Sequence, residues 1–284
     1  MSKTWQFAVI GGTGMGELFS KFEGFVPRHA VVDVPTVGLR RVHYAEVITA
    51  SQEFIFIDRH RAVGPDMEGD FLLPHQLDHR LYMGLLAHFG VRYVLAMSAV
   101  GGISARRPNV VGAIVRPTDF IDFTHGVYTF ARQNCNDPTT FHRSSEGLLC
   151  SLGRDADEEP LILGVGTRGP RFETQAESSL YSRVGVDLLG MQTAVPEAVL
   201  AREASMHYAL RCVVTNLPLM ASTSGHSVAE VMVRAQPGLQ AWIFRTMRRI
   251  SLNGSGAWKC PCSNAPPVFD VVKDLQFNYT TPDL

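Results

Sequence analysis

The chain has 284 residues, of which 45% are apolar and 19% charged, and its formal net charge is −1. This length and composition suit one large folded domain and exclude a disordered chain. The balanced charge excludes nucleic acid or an anionic membrane as a partner held by overall attraction, so any anion must be bound at a local site.

Residues 6–10 read as a buried strand, closed by the tight turn Gly11-Gly12-Thr13-Gly14. Residues 42–49 and 53–57 read as a strand pair, and 64–73 as a loop. Pro74 and Asp78 introduce a helix that runs to about Phe89 and stops at Gly90. Residues 92–97 form a strand, 98–104 a glycine-rich turn, and 113–116 a short strand stopped by Pro117. The polar stretch 122–159 lacks clear periodicity and reads as a surface excursion. Beyond it come a strand (161–165), a helix (173–184), a strand (187–189), a helix (195–206) and a buried strand (209–215). Two helices follow, over 227–235 and 238–250, separated at Pro237.

Strands alternating with helices predict a single α/β domain over residues 1–250, with a mixed, mostly parallel central sheet flanked by helices. Residues 251–284 form a tail, read as disordered or packed on a neighbouring copy. No apolar run reaches the roughly 18 residues of a membrane span, and the first residues lack a signal layout. The expected location is the cytoplasm. Cys135, Cys150, Cys212, Cys260 and Cys262 are odd in number and scattered, unlike a secreted disulfide framework. The close pair Cys260-Pro261-Cys262 reads as reduced or as a disulfide; a zinc site would need further ligands nearby.

Three strand ends have anion-binding character. The glycines of Gly11-Gly12-Thr13-Gly14 let the backbone approach an anion, and the Thr13 hydroxyl adds a donor. Arg59-His60-Arg61 places cationic side chains after a strand, where an arginine fork matches phosphate. Ser98-Ala99-Val100-Gly101-Gly102 also follows a strand, and ligands of open α/β sheets gather at such ends. Neither a P-loop nor a complete dinucleotide fingerprint is present. Further along, Phe172 suits stacking on a flat ring and Glu173 suits accepting from ring N–H groups. Met191 closes a strand, and Asn216 closes another with an amide that both donates and accepts.

These residues carry a resemblance. The stretch GPRFETQAE…GVDLLGMQTAVPEAVLARE (169–203), with AVIGGTG (8–14), RH (59–60), MSAVGG (97–102), RPTDFIDFTHG (116–126) and VVTN (213–216), resembles the trimeric purine nucleoside phosphorylases, including the methylthioadenosine and methylthioinosine phosphorylases. The resemblance implies a nucleoside and inorganic phosphate as substrates, no metal or organic cofactor, and a homotrimer in which a neighbour's loop completes each pocket. It assigns Thr13, Arg59, His60, Ser98 and Ala99 to phosphate, Met191 to the underside of the ribose, Phe172 and Glu173 to the base, and Asn216 to purine N7 and the 6-substituent.

The methylthioadenosine phosphorylases carry Asp where Asn216 stands, a second Asp where Pro218 stands, and Ser where Glu173 stands. Glu173 with Asn216 therefore resembles the 6-oxopurine type: a carboxylate accepts from N1–H, and an amide donates to O6 and meets N7. Val228 falls where hydroxyl-preferring members place His, which resembles acceptance of a 5′-methylthio group, although His226 is only two residues away. Methylthioinosine, inosine and guanosine are the candidate substrates. The alternatives are a methylthioadenosine phosphorylase and a purine-binding relative with weakened catalysis.

Three departures stand out. Residues 62–73 hold an insertion where the roof of the phosphate site is expected. One extra residue follows Met191, so Gln192 or Thr193 meets phosphate, with Thr193 chemically favoured. Residues 127–160 are shorter than the family norm.

Overall fold

The computed structural model describes residues 3–34, 38–64, 71–104, 110–130, 148–156, 158–191, 194–219, 227–253 and 278–281. Its centre is built from apolar runs. Strand β1 (Phe7–Gly11) is buried at every position, and it lies parallel between β4 (Glu53–Asp58) and β5 (Tyr93–Gly102). On its other side β5 pairs in parallel with β10 (His207–Asn216). Strands buried on both faces read as continuous hydrophobic segments, which is why these were legible.

Alternate residues of the central strands feed two separate cores, as the two-residue period of a strand dictates. Ala8 and Ile10 of β1 pack with Val94, Leu210 and residues of α1 (His79–His88) and α3 (Ala194–Glu203). Val9, Leu95, Met97 and Val213 face the opposite way, against Met15, Phe19 and α4 (Val228–Asn253). The result is a mixed sheet with helices on both faces, the α/β architecture the sequence predicts.

The sheet extends from this parallel centre through antiparallel pairs on one side and, past an antiparallel junction at β5, through parallel pairs on the other. Strands β2 (Phe25–Val34) and β3 (Gly38–Ile48) lead into β4 on one side. On the other, β9 (Leu188–Met191), β8 (Leu161–Thr167) and β7 (Pro117–Asp122) continue from β5. A two-residue strand, β6 (Ile114–Val115), pairs antiparallel with β10. Helix α1 starts on the Asp78 side chain, which accepts from the backbone N–H of Arg80, and Gly90 follows its end with φ of 74°. That start and stop agree with the expected signals.

Four elements differ from expectation. Strand β2 went unread because Pro27 interrupts it; the proline lies outside the stretch from Val31 to Asp33 on which a further strand pairs. Strand β5 does not turn at Ser98 but runs on through Gly102, held by β10 and β9. Pro117 begins β7 instead of only ending a strand, since a first strand position needs no N–H. The two expected helices after residue 227 are one, α4, with Pro237 inside it. Val233 and Pro237 both lie on its exposed side, where water can serve the carbonyl that proline leaves without a donor.

Part of the 251–284 tail returns to the body. Strand β11 (Asn278–Thr280) pairs antiparallel with β2, and the buried Tyr279 hydroxyl donates to the Leu81 carbonyl at 2.7 Å. Tyr279→Phe is expected to lower stability by about 1 kcal/mol, read from a denaturation midpoint; an unchanged midpoint would mean that this bond adds nothing. Cys135, Cys260 and Cys262 lie outside the described residues, whereas Cys150 and Cys212 are buried and not joined in a disulfide. Among the described residues no helix is long and apolar enough to cross a membrane.

Candidate active site

Because β4, β1, β5 and β10 run parallel, their carboxyl ends emerge together. Gly12 and Thr13 follow β1, the 3-10 turn Arg59–Arg61 follows β4, and Ser98 and Ala99 lie in the carboxyl-terminal half of β5. Asn216 ends β10, Met191 ends β9, and Val228 begins α4. Phe172 and Glu173 precede α2 (Gln175–Arg183), whose first turn is fixed by a capping box between Thr174 and Glu177. All ten of these predicted site residues border one cavity of about 270 Å3. Thr193 and its alternative Gln192 lie outside the described residues.

Close approach at this rim explains two glycines. A Cβ on Gly12 would lie 2.6 Å from Arg59 Nη1, and one on Gly101 would lie 2.8 Å from Pro218 Cγ. Neither backbone tolerates a side chain there.

The structure corrects one expectation about Arg59. Its fork does not face the cavity: Nε and Nη2 donate to the two carboxylate oxygens of Glu197 at 2.7 and 2.8 Å, and Nη1 donates to the Met97 carbonyl at 2.8 Å. Both side chains are fully buried. Glu197 also accepts from the hydroxyls of Tyr82 and Tyr208, each at 2.6 Å, so every lone pair of the carboxylate is used. His79 donates to or accepts from Tyr82 beside it. Burial works against both charges, but each partner outweighs it: Arg59 is held above its usual range and Glu197 below its own. Arg59 borders the cavity, and these bonds leave one hydrogen on each of Nη1 and Nη2 unused while its charge is already matched.

Glu197, Tyr82 and Tyr208 were missed by sequence reasoning. The available signal was Glu197 itself, a carboxylate set among apolar residues in the first turns of α3. Its bland reading, a first-turn acid favoured by the helix dipole, does not require burial, and Glu197 is completely buried.

His60 is also fixed by its neighbours. Its Nδ1–H donates to the Leu72 carbonyl at 2.7 Å, and the Phe71 ring stacks on it at 4.2 Å between centroids. The backbone N–H of Leu72 returns to the His60 carbonyl at 2.9 Å. The far end of the 62–73 insertion therefore folds down over the site, with Phe71, Leu73 and Pro74 on the cavity wall; residues 65–70 lie outside the described residues. Nε2 of His60 faces Thr13 Oγ1 at 3.4 Å. Burial pushes the His60 pKa down to about 4, opposed in part by the Leu72 carbonyl, so the ring is neutral near pH 7.

At the other end, Glu173 Oε1 is buried without a hydrogen-bond partner among the described residues. Arg171, two residues away, is committed to Glu177 by a pair of 2.8 Å bonds. Burial raises the Glu173 pKa. Gly166 makes room for this carboxylate, since a Cβ there would lie 2.9 Å from Oε1. The Thr215 hydroxyl is 3.3 Å from both the Val100 carbonyl and Asn216 Oδ1. With Oδ1 turned to Thr215, Asn216 presents Nδ2 as a donor on the side of Gly101 and the cavity. Phe172 is 62% exposed and stands at the mouth. Among the described residues no group of three or more His, Cys, Asp or Glu is arranged to hold a metal ion.

The phosphorylase superfamily, as a family model, matches residues 7–241 of this chain. A probable S-methyl-5′-thioinosine phosphorylase of Methanopyrus kandleri is 32% identical, with 92% of this chain and 97% of that protein covered. A probable 6-oxopurine nucleoside phosphorylase of Korarchaeum cryptofilum is 31% identical, with 90% and 96% covered. In structure, the chain is similar to a methylthioadenosine phosphorylase from an Antarctic soil metagenomic library, with a TM-score of 0.68 at 24% identity over 89% of this chain and 88% of that one.

Proposed function

We propose, for a chain that belongs to the phosphorylase superfamily, that it cleaves a 6-oxopurine nucleoside with inorganic phosphate to give free base and ribose 1-phosphate, or its 5-methylthio analogue. One observation carries this reading: a carboxylate oxygen of Glu173, buried without a partner among the described residues, and the Asn216 amide line the same cavity as Thr13, His60 and Arg59. That polarity complements a 6-oxopurine, which offers N1–H to Glu173 and takes N–H from Asn216 at N7 and O6. A 6-aminopurine would set its amine against the amide donor and leave Glu173 unmatched.

The mechanism follows from charge. As the C1′–N9 bond lengthens, the sugar becomes cationic and the base anionic. An oxygen of phosphate forms the new bond to C1′, and the bonding pair leaves with the base, which takes up a proton. Phosphate beside C1′ is both nucleophile and counter-charge. Asn216 stabilises the base most when its negative charge is greatest, and so lowers the barrier rather than merely binding the ground state. Met191 supplies an apolar floor and Phe172 covers the mouth. Phosphate is a co-substrate, and the reading calls on no metal or organic cofactor.

At the 5′ end, the apolar Val228, which lines the cavity together with Phe71 and Leu73, favours a methylthio group over a hydroxyl. Val228→His is expected to raise the preference for inosine over methylthioinosine by roughly tenfold, the worth of about one hydrogen bond; a ratio of kcat/KM values that stays put would remove Val228 from the 5′ subsite. We take the working form to be a cytoplasmic homotrimer. The exposed apolar side chains of Phe172 before α2, Leu180 on it and Val184 after it support a face covered by a second copy. Sedimentation as a monomer at micromolar concentration would count against it.

The primary test is incubation with inosine, guanosine, methylthioinosine and methylthioadenosine, with and without phosphate, following free base. Phosphate-dependent release from the oxo nucleosides is expected. Release that ignores phosphate, or occurs only with methylthioadenosine, would overturn the reading.

A further inference from the structure

Strand β8 carries an irregularity that makes space for one side chain of the cavity wall. Val165 pairs with Gly190 and Thr167 with Met191, so Gly166 is an extra residue, bulged opposite the peptide that leads into Met191. Its φ lies outside the left-handed region, so the backbone there does not call for glycine. The demand is for room. A Cβ on Gly166 would lie 2.7 Å from Tyr181 Cε2 and 2.9 Å from both Cγ and Oε1 of Glu173. Tyr181 has nowhere to retreat, because its ring stacks on Phe123 at 4.3 Å and is buried with Ile103, Val186 and Leu189. Glu173 has the freer side chain, and it borders the open cavity. The Thr167 hydroxyl donates to the Arg171 carbonyl at 3.1 Å, which ties this end of β8 to the segment carrying Phe172 and Glu173.

We infer that Gly166 and Tyr181 are positioning residues for base recognition: a missing side chain and a fixed ring form a niche that sets where the Glu173 carboxylate stands. This rests on the phosphorolytic reading, in which Glu173 accepts from N1–H, and adds the residues that place that acceptor. Neither Gly166 nor Tyr181 borders the cavity, so both act through Glu173. A methyl group at position 166 fills the niche, and the acid must turn out of it. A hydrogen bond weakens steeply once its acceptor is misplaced. The cost therefore falls on the base, while Thr13, Arg59 and His60, which follow other strands, keep their places.

The test uses the whole protein and either inosine or methylthioinosine, whichever is cleaved faster. Two quantities are measured: kcat/KM for the nucleoside at saturating phosphate, and KM for phosphate at saturating nucleoside. Gly166→Ala is expected to lower the first by roughly tenfold or more and to move the second by less than about threefold. In a Glu173→Ala background the same substitution is expected to cost less than about threefold, because no acid remains to be displaced. Tyr181→Leu opens the opposite wall of the niche and is expected to lower the nucleoside kcat/KM by about threefold or more, again only while Glu173 is present. It decides the matter if Gly166→Ala does not fold. Equal losses with and without Glu173, or a loss that falls on the phosphate KM, would overturn this inference and leave the reaction intact. If Glu173→Ala alone changed nothing, the base assignment would fall and this inference with it. Cleavage that does not depend on phosphate would remove the reaction itself.

Discussion

Arg59→Ala is expected to lower the stability of the fold by about 3–5 kcal/mol, and not only to weaken phosphate use. The reason is the carboxylate left behind. Glu197 is fully buried, and its charge is sustained by two bonds from Arg59; His79, 3.9 Å away, is the other titratable neighbour, and burial holds it neutral near pH 7. Without them the carboxylate keeps only the Tyr82 and Tyr208 hydroxyls. Those are neutral donors, whose own ionisation burial pushes far out of reach. A chemical denaturation midpoint measures the loss, and a change under about 1 kcal/mol would mean that the pair is not the keystone described here.

The double variant Arg59→Met with Glu197→Leu separates the two roles. Replacing both charges with apolar groups of similar bulk removes the cost of an unpaired ion, so much of the stability should return. Phosphate use should not return, because the Arg59 N–H groups at the cavity wall are gone. Recovery of both, measured as the midpoint and as kcat/KM for phosphate, would show that Arg59 serves the scaffold alone.

Asn216→Asp is expected to shift the ratio of kcat/KM for methylthioadenosine over methylthioinosine by roughly 10- to 100-fold, or about 1–3 kcal/mol. The amide now donates into the cavity from Nδ2, with Oδ1 turned toward Thr215. A carboxylate there becomes an acceptor, which fits an exocyclic amine and repels O6. Glu173 remains to favour an N1–H, so the shift should stop short of full reversal. Pro218, packed where a Cβ on Gly101 would fall, cannot supply a second polar partner. An unchanged ratio would show that Asn216 does not face the base.

What sequence alone determined here was local. The apolar runs of β1, β4, β5 and β10 fixed the buried strands, since a segment apolar on both faces can only lie inside. Asp78 and Gly90 marked both ends of α1 through backbone groups that lie beside them in the chain. The motif residues at the strand ends were legible because turns after strands have their own chemistry. Tertiary structure decided the rest. Whether Pro237 breaks a helix depends on which side of it meets water, and how far β5 runs depends on strands that arrive later in the chain. Most of all, the partner of Arg59 stands 138 positions away in sequence. Nothing near Arg59 in the chain says whether its fork will meet a ligand or a buried acid, because a charge buried by folding must take whatever counter-charge the packed sheet and helices bring to it.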